Sequence, residues 1–323
     1  MELLSSGAHS DVFISDEEPG IIIKKQKNPE KDSAYAERQM RGYDIVNNIR
    51  AKNKNTGVVL PELVDIQQED NATVIREKRL TGKAFDKEGK TYSALSKQEK
   101  NYIALQMATF LNAMHSSYDC KPATKSIKTM FNGKLNNADD IIAKFEGKLP
   151  KNIANRLKQA EKSLAGSDIS DEFTVMTHSD LRGDNLMYDK KTHKLSVLDF
   201  ELAGMKNVYR DFVANAAATS MPWDFTKRVI DYYNKIPDKK YPITINPEKV
   251  QNMLFYGAMH EYARCIRPGD NENATKKDIK KMYTRLTNVT GITFNNTSRF
   301  KQGRRNITEK MFNVGTIKDK LYE

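Results

Sequence analysis

The sequence contains few cysteines and no long apolar stretch. Its 323 residues include only two cysteines and one tryptophan. Cys120 and Cys265 lie far apart, outside any Cys-x-x-Cys or Cys/His cluster, which excludes a disulfide scaffold and predicts reduced thiols. No segment approaches the roughly 20 apolar residues that a membrane-spanning helix needs. Residues 1–7 lack the basic and apolar regions of a secretion signal, so we expect a cytoplasmic protein without a membrane span.

Positive charge is concentrated in the last third of the sequence. The formal net charge is +11. Residues 1–204 contain 31 Lys and Arg against 30 Asp and Glu, whereas residues 205–323 contain 22 against 12. This excess is explained equally well by solubility and by an anionic substrate or partner. The basic run at 299–305 lacks interleaved aromatic residues, so a nucleic-acid partner is disfavoured.

The pattern of apolar residues divides the chain into two parts. At roughly 100–200 residues per domain, the length suits two domains or one bilobal unit. The first part alternates short β-branched runs with one helical segment, and helical spacing dominates from about residue 96. The predicted strands are 11–14, 21–23, 58–61, 72–75, 173–176, 186–188 and 195–198, and the first predicted helix is 33–50. The sequence predicts an α+β protein with a small strand-rich lobe, 1–80, before a larger helical lobe, 81–323, with a helical insertion at 116–172.

The segment from 177 to 201 carries the groups that phosphoryl transfer requires. Asp180 is followed by Asn185 five residues later and by Asp199 fourteen residues after that. Transfer from ATP needs a carboxylate to orient the acceptor hydroxyl, and oxygen ligands for Mg²⁺. We therefore predict Asp180 as the catalytic base, with Asn185 and Asp199 as metal ligands.

This segment resembles the aminoglycoside phosphotransferase and choline kinase branch of the protein-kinase-like fold. His178-x-Asp180 with Asn185 resembles the catalytic loop of that family. Leu198-Asp199-Phe200-Glu201 resembles its metal-binding segment, with Glu201 where protein kinases have glycine. Asp211 resembles the family aspartate that supports the catalytic loop. The resemblance implies a bilobal kinase-like fold, ATP and Mg²⁺ as cofactors, and structural roles for His178 and for His115 at the end of a helix.

The front of the chain resembles the nucleotide-binding lobe of the same family. Gly7 and Ser10 lie in a segment similar to the loop that covers the nucleotide phosphates. Lys24 resembles the strand lysine that contacts phosphates, although the neighbouring Lys25 is an alternative because adjacent strand residues face opposite ways. The resemblance implies that Glu37, on the following helix, is the ion-pair partner of this lysine. It also implies that the backbone from Glu77 to Arg79 meets adenine.

Arg182 departs from the family pattern. It lies two residues after Asp180, where many members of this branch carry no cation. A guanidinium group matches phosphate oxygens well. We therefore predict that Arg182 contacts the γ-phosphate or the acceptor. Asp184 is expected to hydrogen-bond the turn and not to bind metal.

The acceptor is less well defined by the sequence than the donor site. Aminoglycosides are polycations, and the basic C-terminal third does not suit them, so an amino-alcohol or sugar-like small molecule is favoured. An amino-alcohol of the choline type would need an aromatic box, for which the candidates are Trp223, Phe225, Tyr232, Tyr233 and Tyr262. Two other functions stay open. One is a protein kinase acting on a partner protein, and the other is an inactive kinase-fold binding module that uses a basic C-terminal surface. The oligomeric state is not predicted.

Overall fold

A computed structural model describes the chain in eight ranges. These ranges are 1–7, 9–86, 90–123, 137–145, 149–165, 172–213, 221–265 and 286–292. Contacts divide the chain into two compact units, one formed by Met1–Ser126 with Asp168–Pro247 and the other by Ile127–Ser167 with Glu248–Glu323. The predicted lobe boundary near residue 80 falls within the first unit and stays a prediction. The basic run at 299–305 lies outside the described residues.

The first unit begins with a five-stranded antiparallel sheet in the order β1-β2-β3-β5-β4. The strands are β1 (Glu2–Ser6), β2 (Ser10–Ile14), β3 (Ile21–Gln26), β4 (Leu63–Glu69) and β5 (Ala72–Lys78). β1 was not predicted as a strand, and the strand predicted at 58–61 is wrong. Val59 instead forms an isolated parallel bridge to Ser196, and β4 starts only at Leu63. Pro61 has no backbone N–H for a sheet ladder, which explains the late start.

Helix α1 (Tyr35–Lys52) packs on this sheet through buried residues that recur every three to four positions. Tyr35 and Tyr43 form a buried cluster with Ile75 of β5. One turn of α1 also lies against the backbone at Phe200, because a Cβ added to Gly42 would come within 3.1 Å of the carbonyl group of Phe200. α1 therefore contacts both the sheet and the segment that follows Asp199.

The rest of the first unit combines helices with short strands, and the α+β class predicted from the sequence is confirmed. Helix α3 starts with a capping box in which Ser96 accepts from the backbone N–H of Glu99, while the Glu99 carboxylate accepts from that of Ser96. Its buried face packs against α7. The elements are β6 (Lys83–Ala84), α2 (Lys90–Ser93), α3 (Lys97–His115), β7 (Lys121–Pro122), β8 (Phe173–Thr177), β9 (Leu186–Asp189), β10 (Lys194–Val197), β11 (Gly204–Asn207), α6 (Arg210–Val213) and α7 (Trp223–Lys235).

Two small sheets frame the segment from 177 to 204. In one, β9 pairs with both β10 and β6, and in the other β8 pairs with both β11 and β7. β8 ends at Thr177 and β10 ends at Val197. The residues that follow these two strand ends carry the predicted catalytic and metal-binding side chains.

The second unit contains α4 (Ala138–Ala143), α5 (Lys151–Ala165), nearly all of α8 (Pro247–Cys265) and a short helix at 286–290. The buried residues Ile153, Leu157, Ala160 and Leu164 form one stripe along α5 at helical spacing. The guanidinium of Arg156 donates to the side-chain oxygen of Asn252 at 2.6 Å. Among the helices within the described ranges, none combines the length and apolarity of a bilayer-crossing segment.

Candidate active site

The loop after β8 is held in a strained conformation by hydrogen bonds. Ser179 has φ of +72°, a left-handed value that is uncommon outside glycine. The fully buried His178 fixes the residues on either side of Ser179. Its Nε2 donates to the Leu198 carbonyl at 2.8 Å, and its Nδ1 accepts from the Asp180 amide at 3.3 Å. The structural role predicted for His178 is confirmed, and Asp180 is held at a defined point of the loop.

The carboxylate of Asp211 holds the same loop through hydrogen bonds. It accepts from the backbone N–H of Ser179 at 2.7 Å and from that of His178 at 3.2 Å. Nε2 of His115 lies 3.2 Å from the second Asp211 oxygen, and Nδ1 of His115 lies 3.0 Å from the Tyr233 hydroxyl. These contacts confirm the supporting roles predicted for Asp211 and His115. The Asp211 side chain is buried, so this network holds the loop from the protein interior.

Asp180 contacts both of the polar residues predicted around it. The Asn185 side-chain N–H₂ donates to Asp180 Oδ2 at 2.9 Å and to the Asp180 carbonyl at 2.8 Å. Arg182 Nε lies 3.0 Å from Asp180 Oδ1 and 3.6 Å from Asp184 Oδ1. Arg182 therefore places a positive charge beside the Asp180 carboxylate. Its side chain is 38% exposed, and its contact with phosphate or acceptor stays a prediction.

Asn185 and Asp199 lie at the same end of the β9–β10 hairpin. The Leu198 amide donates to the Asn185 carbonyl at 2.9 Å, and Asp199 follows directly with φ of +63°. Because the Asn185 nitrogen is occupied by Asp180, its side-chain oxygen is the atom left for a metal. One amide oxygen and one carboxylate are hard donors of the kind that Mg²⁺ prefers. Within the described part of the chain, no three His, Cys, Asp or Glu residues gather as a metal site. Metal binding by Asn185 and Asp199 stays a prediction.

Lys24, and not Lys25, enters this site. β3 pairs with β5 so that Lys24 lies opposite Ile75 and Ile22 lies opposite Glu77, which puts Lys24 and Glu77 on one face. Lys24 Nζ lies 3.0 Å from Glu77 Oε1 and 3.1 Å from Oε2. The side chains are 17% and 1% exposed.

The predicted pairing of Lys24 with Glu37 is wrong. Glu37 is exposed on α1, and the carboxylate that holds Lys24 comes from Glu77 on β5. α1 contributes Tyr43 instead, whose hydroxyl donates to Glu77 Oε2. The reason is helical geometry, because Tyr35, Gln39 and Tyr43 occupy the buried face and Glu37 points away from it.

Electrostatics keep the buried Lys24 charged. Burial acts to lower the pKa of Lys24, but Glu77, Tyr43 and Asp199 act against it, and the net effect raises that pKa. Burial raises the pKa of Tyr43, as does its hydrogen bond to Glu77. Lys24 therefore presents a fixed positive charge near Asp199.

α1 is also connected to the segment after Asp199. Gln39 Nε2 donates to Glu201 Oε2 at 3.0 Å, and the Arg41 guanidinium donates to the Glu201 carbonyl at 3.3 Å. Burial and the neighbouring Asp199 raise the pKa of Glu201. A depression with about 230 Å³ of free space lies between these elements. Its lining includes Lys24, Tyr43, Glu77, Asp199, Phe200 and Glu201.

The predicted nucleotide-covering segment forms the β1–β2 turn. The Gly7 amide donates to the Ser10 carbonyl at 2.9 Å, and Lys27 Nζ donates to the Gly7 carbonyl at 2.9 Å. A Cβ at Gly7 would lie 3.3 Å from the Ser10 carbonyl oxygen, so the turn is closely packed. Contacts of Gly7 and Ser10 with phosphate stay predictions.

The predicted adenine-binding stretch is already engaged in backbone hydrogen bonds. The amide of Arg79 donates to the Gly20 carbonyl at 2.7 Å, and the amide of Lys78 donates to the Glu62 carbonyl at 2.9 Å. Adenine could use the Arg79 amide only in place of its present bond. The Glu77 side chain points to Lys24, so Glu77 contributes to the site through its carboxylate.

Sequence reasoning missed Tyr43 and the side-chain role of Glu77. The strand β5 is buried at Ala72, Thr73, Val74, Ile75 and Glu77. An acidic residue within such a buried run needs a partner. That signal was present in the sequence and could have directed attention to Glu77.

Comparison with known proteins adds a family match. A family model described as phosphotransferase enzyme family matches residues 1–235. Among solved structures, similarity is found to a streptomycin–ATP–APH(2")-IIa ternary complex, at 19% identity over 73% of this chain and 78% of that one, with a TM-score of 0.43.

Two further solved structures are similar to this chain. A thermostable mutant of aminoglycoside phosphotransferase APH(4)-Ia, in complex with ADP and hygromycin B, is 12% identical over 88% of this chain and 90% of that one, with a TM-score of 0.47. APH(3'')-Id from Streptomyces rimosus is 16% identical over 79% and 91% of the two chains, with a TM-score of 0.44.

Proposed function

The chain belongs to the phosphotransferase enzyme family, and on that basis we propose that it transfers the γ-phosphate of ATP to a hydroxyl group of a small molecule, with Mg²⁺. The observation that carries this proposal is the grouping of four side chains predicted from sequence. Lys24 and Asp199 line one depression, Asn185 bonds to Asp180, and the Asn185 carbonyl bonds to the residue before Asp199.

Each of these side chains has a task in the proposed reaction. Asp180 orients the acceptor hydroxyl and receives its proton, and the Asn185 amide fixes one carboxylate oxygen for this purpose. Lys24 supplies a positive charge for the nucleotide phosphates. Asn185 and Asp199 would hold Mg²⁺, which, when bound, neutralises charge on the phosphates. Catalysis then rests on positioning and charge stabilisation.

Among small acceptors, we favour sugar-like molecules over choline-like ones. A quaternary ammonium group needs exposed aromatic faces. Phe225 is buried edge-on against Tyr92, with ring centroids 5.6 Å apart, and Tyr233 is buried between His115 and Phe212. These two rings belong to the core, so two of the five predicted members of an aromatic box are unavailable.

Nucleotide binding tests the donor half of the proposal. We expect wild-type protein to bind ATP more tightly with Mg²⁺ than with EDTA in isothermal titration calorimetry. Asp199→Asn removes the anionic metal ligand, so this variant should lose most of the Mg²⁺-dependent gain. Lys25→Met changes a lysine that does not pair with Glu77 and should keep the gain. ATP affinity that is independent of Mg²⁺ in the wild type would contradict the proposal.

A further inference from the structure

Besides Arg182, three cationic side chains lie on elements next to the loop that carries Asp180 or to the segment after Asp199. They are Arg41, Lys206 and Arg210, which we call the cation cluster. Each is attached to an element that directly positions Asp180 or Asp199. None of the three has a role in the phosphoryl transfer proposed for Asp180.

The cation cluster belongs to elements that contact this loop or the segment after Asp199. Lys206 is on β11, opposite Val175 of β8, the strand that leads into Asp180. Arg210 immediately precedes Asp211, whose carboxylate holds the loop amides. Arg41 reaches over from α1 to donate to the Glu201 carbonyl. Arg41, Arg210 and Asp180 are far apart in sequence, but all three lie within electrostatic range of Lys206.

None of the three cations is neutralised by a carboxylate in the part of the chain that the structure describes. Lys206 Nζ donates to the Leu202 carbonyl at 2.9 Å, a contact with a neutral group. Nε of Arg210 is buried and has no hydrogen-bond partner among the described residues. The segment 214–220, which follows α6, contains no Asp or Glu in its sequence.

The nearby carboxylates are occupied by other groups. Asp211 accepts from two loop amides and contacts His115, while Asp180 and Asp184 both lie close to Arg182. Burial lowers the pKa of Lys206, and Arg210 and Arg41 lower it further, while Asp211 and Asp180 oppose them. The ammonium of Lys206 therefore lies in the combined field of the two arginines and of the catalytic aspartate.

We propose that the cation cluster binds an acid group on the acceptor, so that the substrate is a hydroxyl compound that also carries a carboxylate or a phosphate. This inference rests on the proposed function and narrows its substrate class. Guanidinium groups pair with carboxylate and phosphate in two-point geometry, and an unpaired buried guanidinium nitrogen gains most from such a partner. An aminoglycoside or an amino-alcohol would instead bring a second positive charge to this surface.

The reaction on such an acceptor is balanced without another reactant. The acceptor hydroxyl oxygen forms a bond to the γ-phosphorus, and the bond from that phosphorus to the β,γ-bridging oxygen breaks. ADP leaves with the electron pair of the broken bond, and the hydroxyl proton passes to Asp180. The acid group stays unchanged at the cation cluster and sets the orientation of the molecule.

The test compares acceptors that differ only in charge. Transfer from ATP is measured to sets that share a scaffold, such as glucose, glucosamine, glucuronate and glucose 6-phosphate, and glycerol, glycerate and glycerol 3-phosphate. We expect acid forms to have at least about 10-fold higher kcat/KM than neutral forms. Lys206→Met and Arg210→Met should each lower kcat/KM for acid forms by about 10- to 100-fold, mainly through KM, since each removes a charged hydrogen bond.

Lys194→Met provides the matched control, because Lys194 is an exposed lysine at the start of β10, whereas the end of that strand leads to Asp199. It should leave the preference unchanged. The KM for ATP should be unchanged in all three variants. The carboxylate and phosphate arms identify which acid group is bound. A preference for neutral or amine forms, no transfer to any acid form while Mg²⁺-ATP still binds, or an acid preference that survives both substitutions would overturn this proposal. A failure of Mg²⁺-ATP binding would instead reject the proposed function itself.

Discussion

An Asp180→Asn variant is expected to lose about 10²- to 10⁴-fold in kcat, the usual contribution of a positioned general base. Asparagine keeps the shape of the side chain and can still contact Asn185, but it cannot accept the proton of the acceptor hydroxyl. Asp180 is one of the residues between β8 and β9, whereas Lys24 is on β3. ATP affinity in calorimetry should therefore change by less than about threefold.

Asp184→Asn is the control for this prediction. Asp184 lies in the same loop and near the same guanidinium, at 3.6 Å from Arg182 Nε. This variant should retain kcat within a few-fold of wild type. A kcat for Asp180→Asn that is close to wild type, or an equal loss in both variants, would show that Asp180 is not the base.

Glu77→Ala is expected to destabilise the protein by about 3–5 kcal/mol, because it leaves Lys24 in a buried position without its carboxylate. The Lys24 side chain is only 17% exposed, and both Glu77 oxygens contact its ammonium. Urea unfolding followed by circular dichroism measures the change. The double variant Lys24→Met with Glu77→Leu should recover much of the loss, since it removes both charges.

Glu37→Ala is the control for this prediction, because the sequence predicted Glu37 as the ion-pair partner of Lys24. Glu37 is exposed on α1, so its removal should change the free energy of unfolding by no more than about 0.5 kcal/mol. If Glu37→Ala destabilises the protein as much as Glu77→Ala does, then the pair described for Lys24 is incorrect.

The catalytic loop could be predicted from sequence because its geometry is local. His178, Asp180 and Asn185 lie within eight consecutive residues, and their mutual hydrogen bonds span two to five positions. Short-range contacts of this kind follow from the spacing alone. The position of Asp199 was also predictable, since it follows directly after the β9–β10 hairpin.

The partner of Lys24 could not be predicted in the same way. Lys24 and Glu77 are 53 positions apart, and their contact depends on the register between β3 and β5. Glu37 was excluded by the phase of α1, because two residues correspond to about 200° around a helix. Tyr35, Gln39 and Tyr43 are spaced four apart and share the buried face. The hydropathy of a single residue does not show which face of the helix that residue occupies.

The cation cluster was only partly visible in the sequence. The positive charge of the last third is explained equally well by solubility and by an anionic partner, and it does not identify which basic residues lie close together. Lys206 and Arg210 are within that third, whereas Arg41 belongs to α1. Their convergence depends on the pairing of β11 with β8 and on the packing of Gly42 against Phe200. The fold therefore brings together a few of the basic residues, whereas the composition gives only their total number.

The central claim is that the residues around Asp180 transfer the γ-phosphate of ATP to an acceptor hydroxyl. The most direct measurement follows the label of γ-³²P-ATP in a mixture of hydroxyl-bearing metabolites, with purified protein and Mg²⁺. The account predicts that label moves to an acceptor in a form stable to ATP removal, that EDTA prevents this transfer, and that Asp180→Asn reduces it by about 10²-fold or more. ATP that is bound in a Mg²⁺-dependent manner but yields no labelled acceptor, or equal labelling by wild type and Asp180→Asn, would contradict the claim.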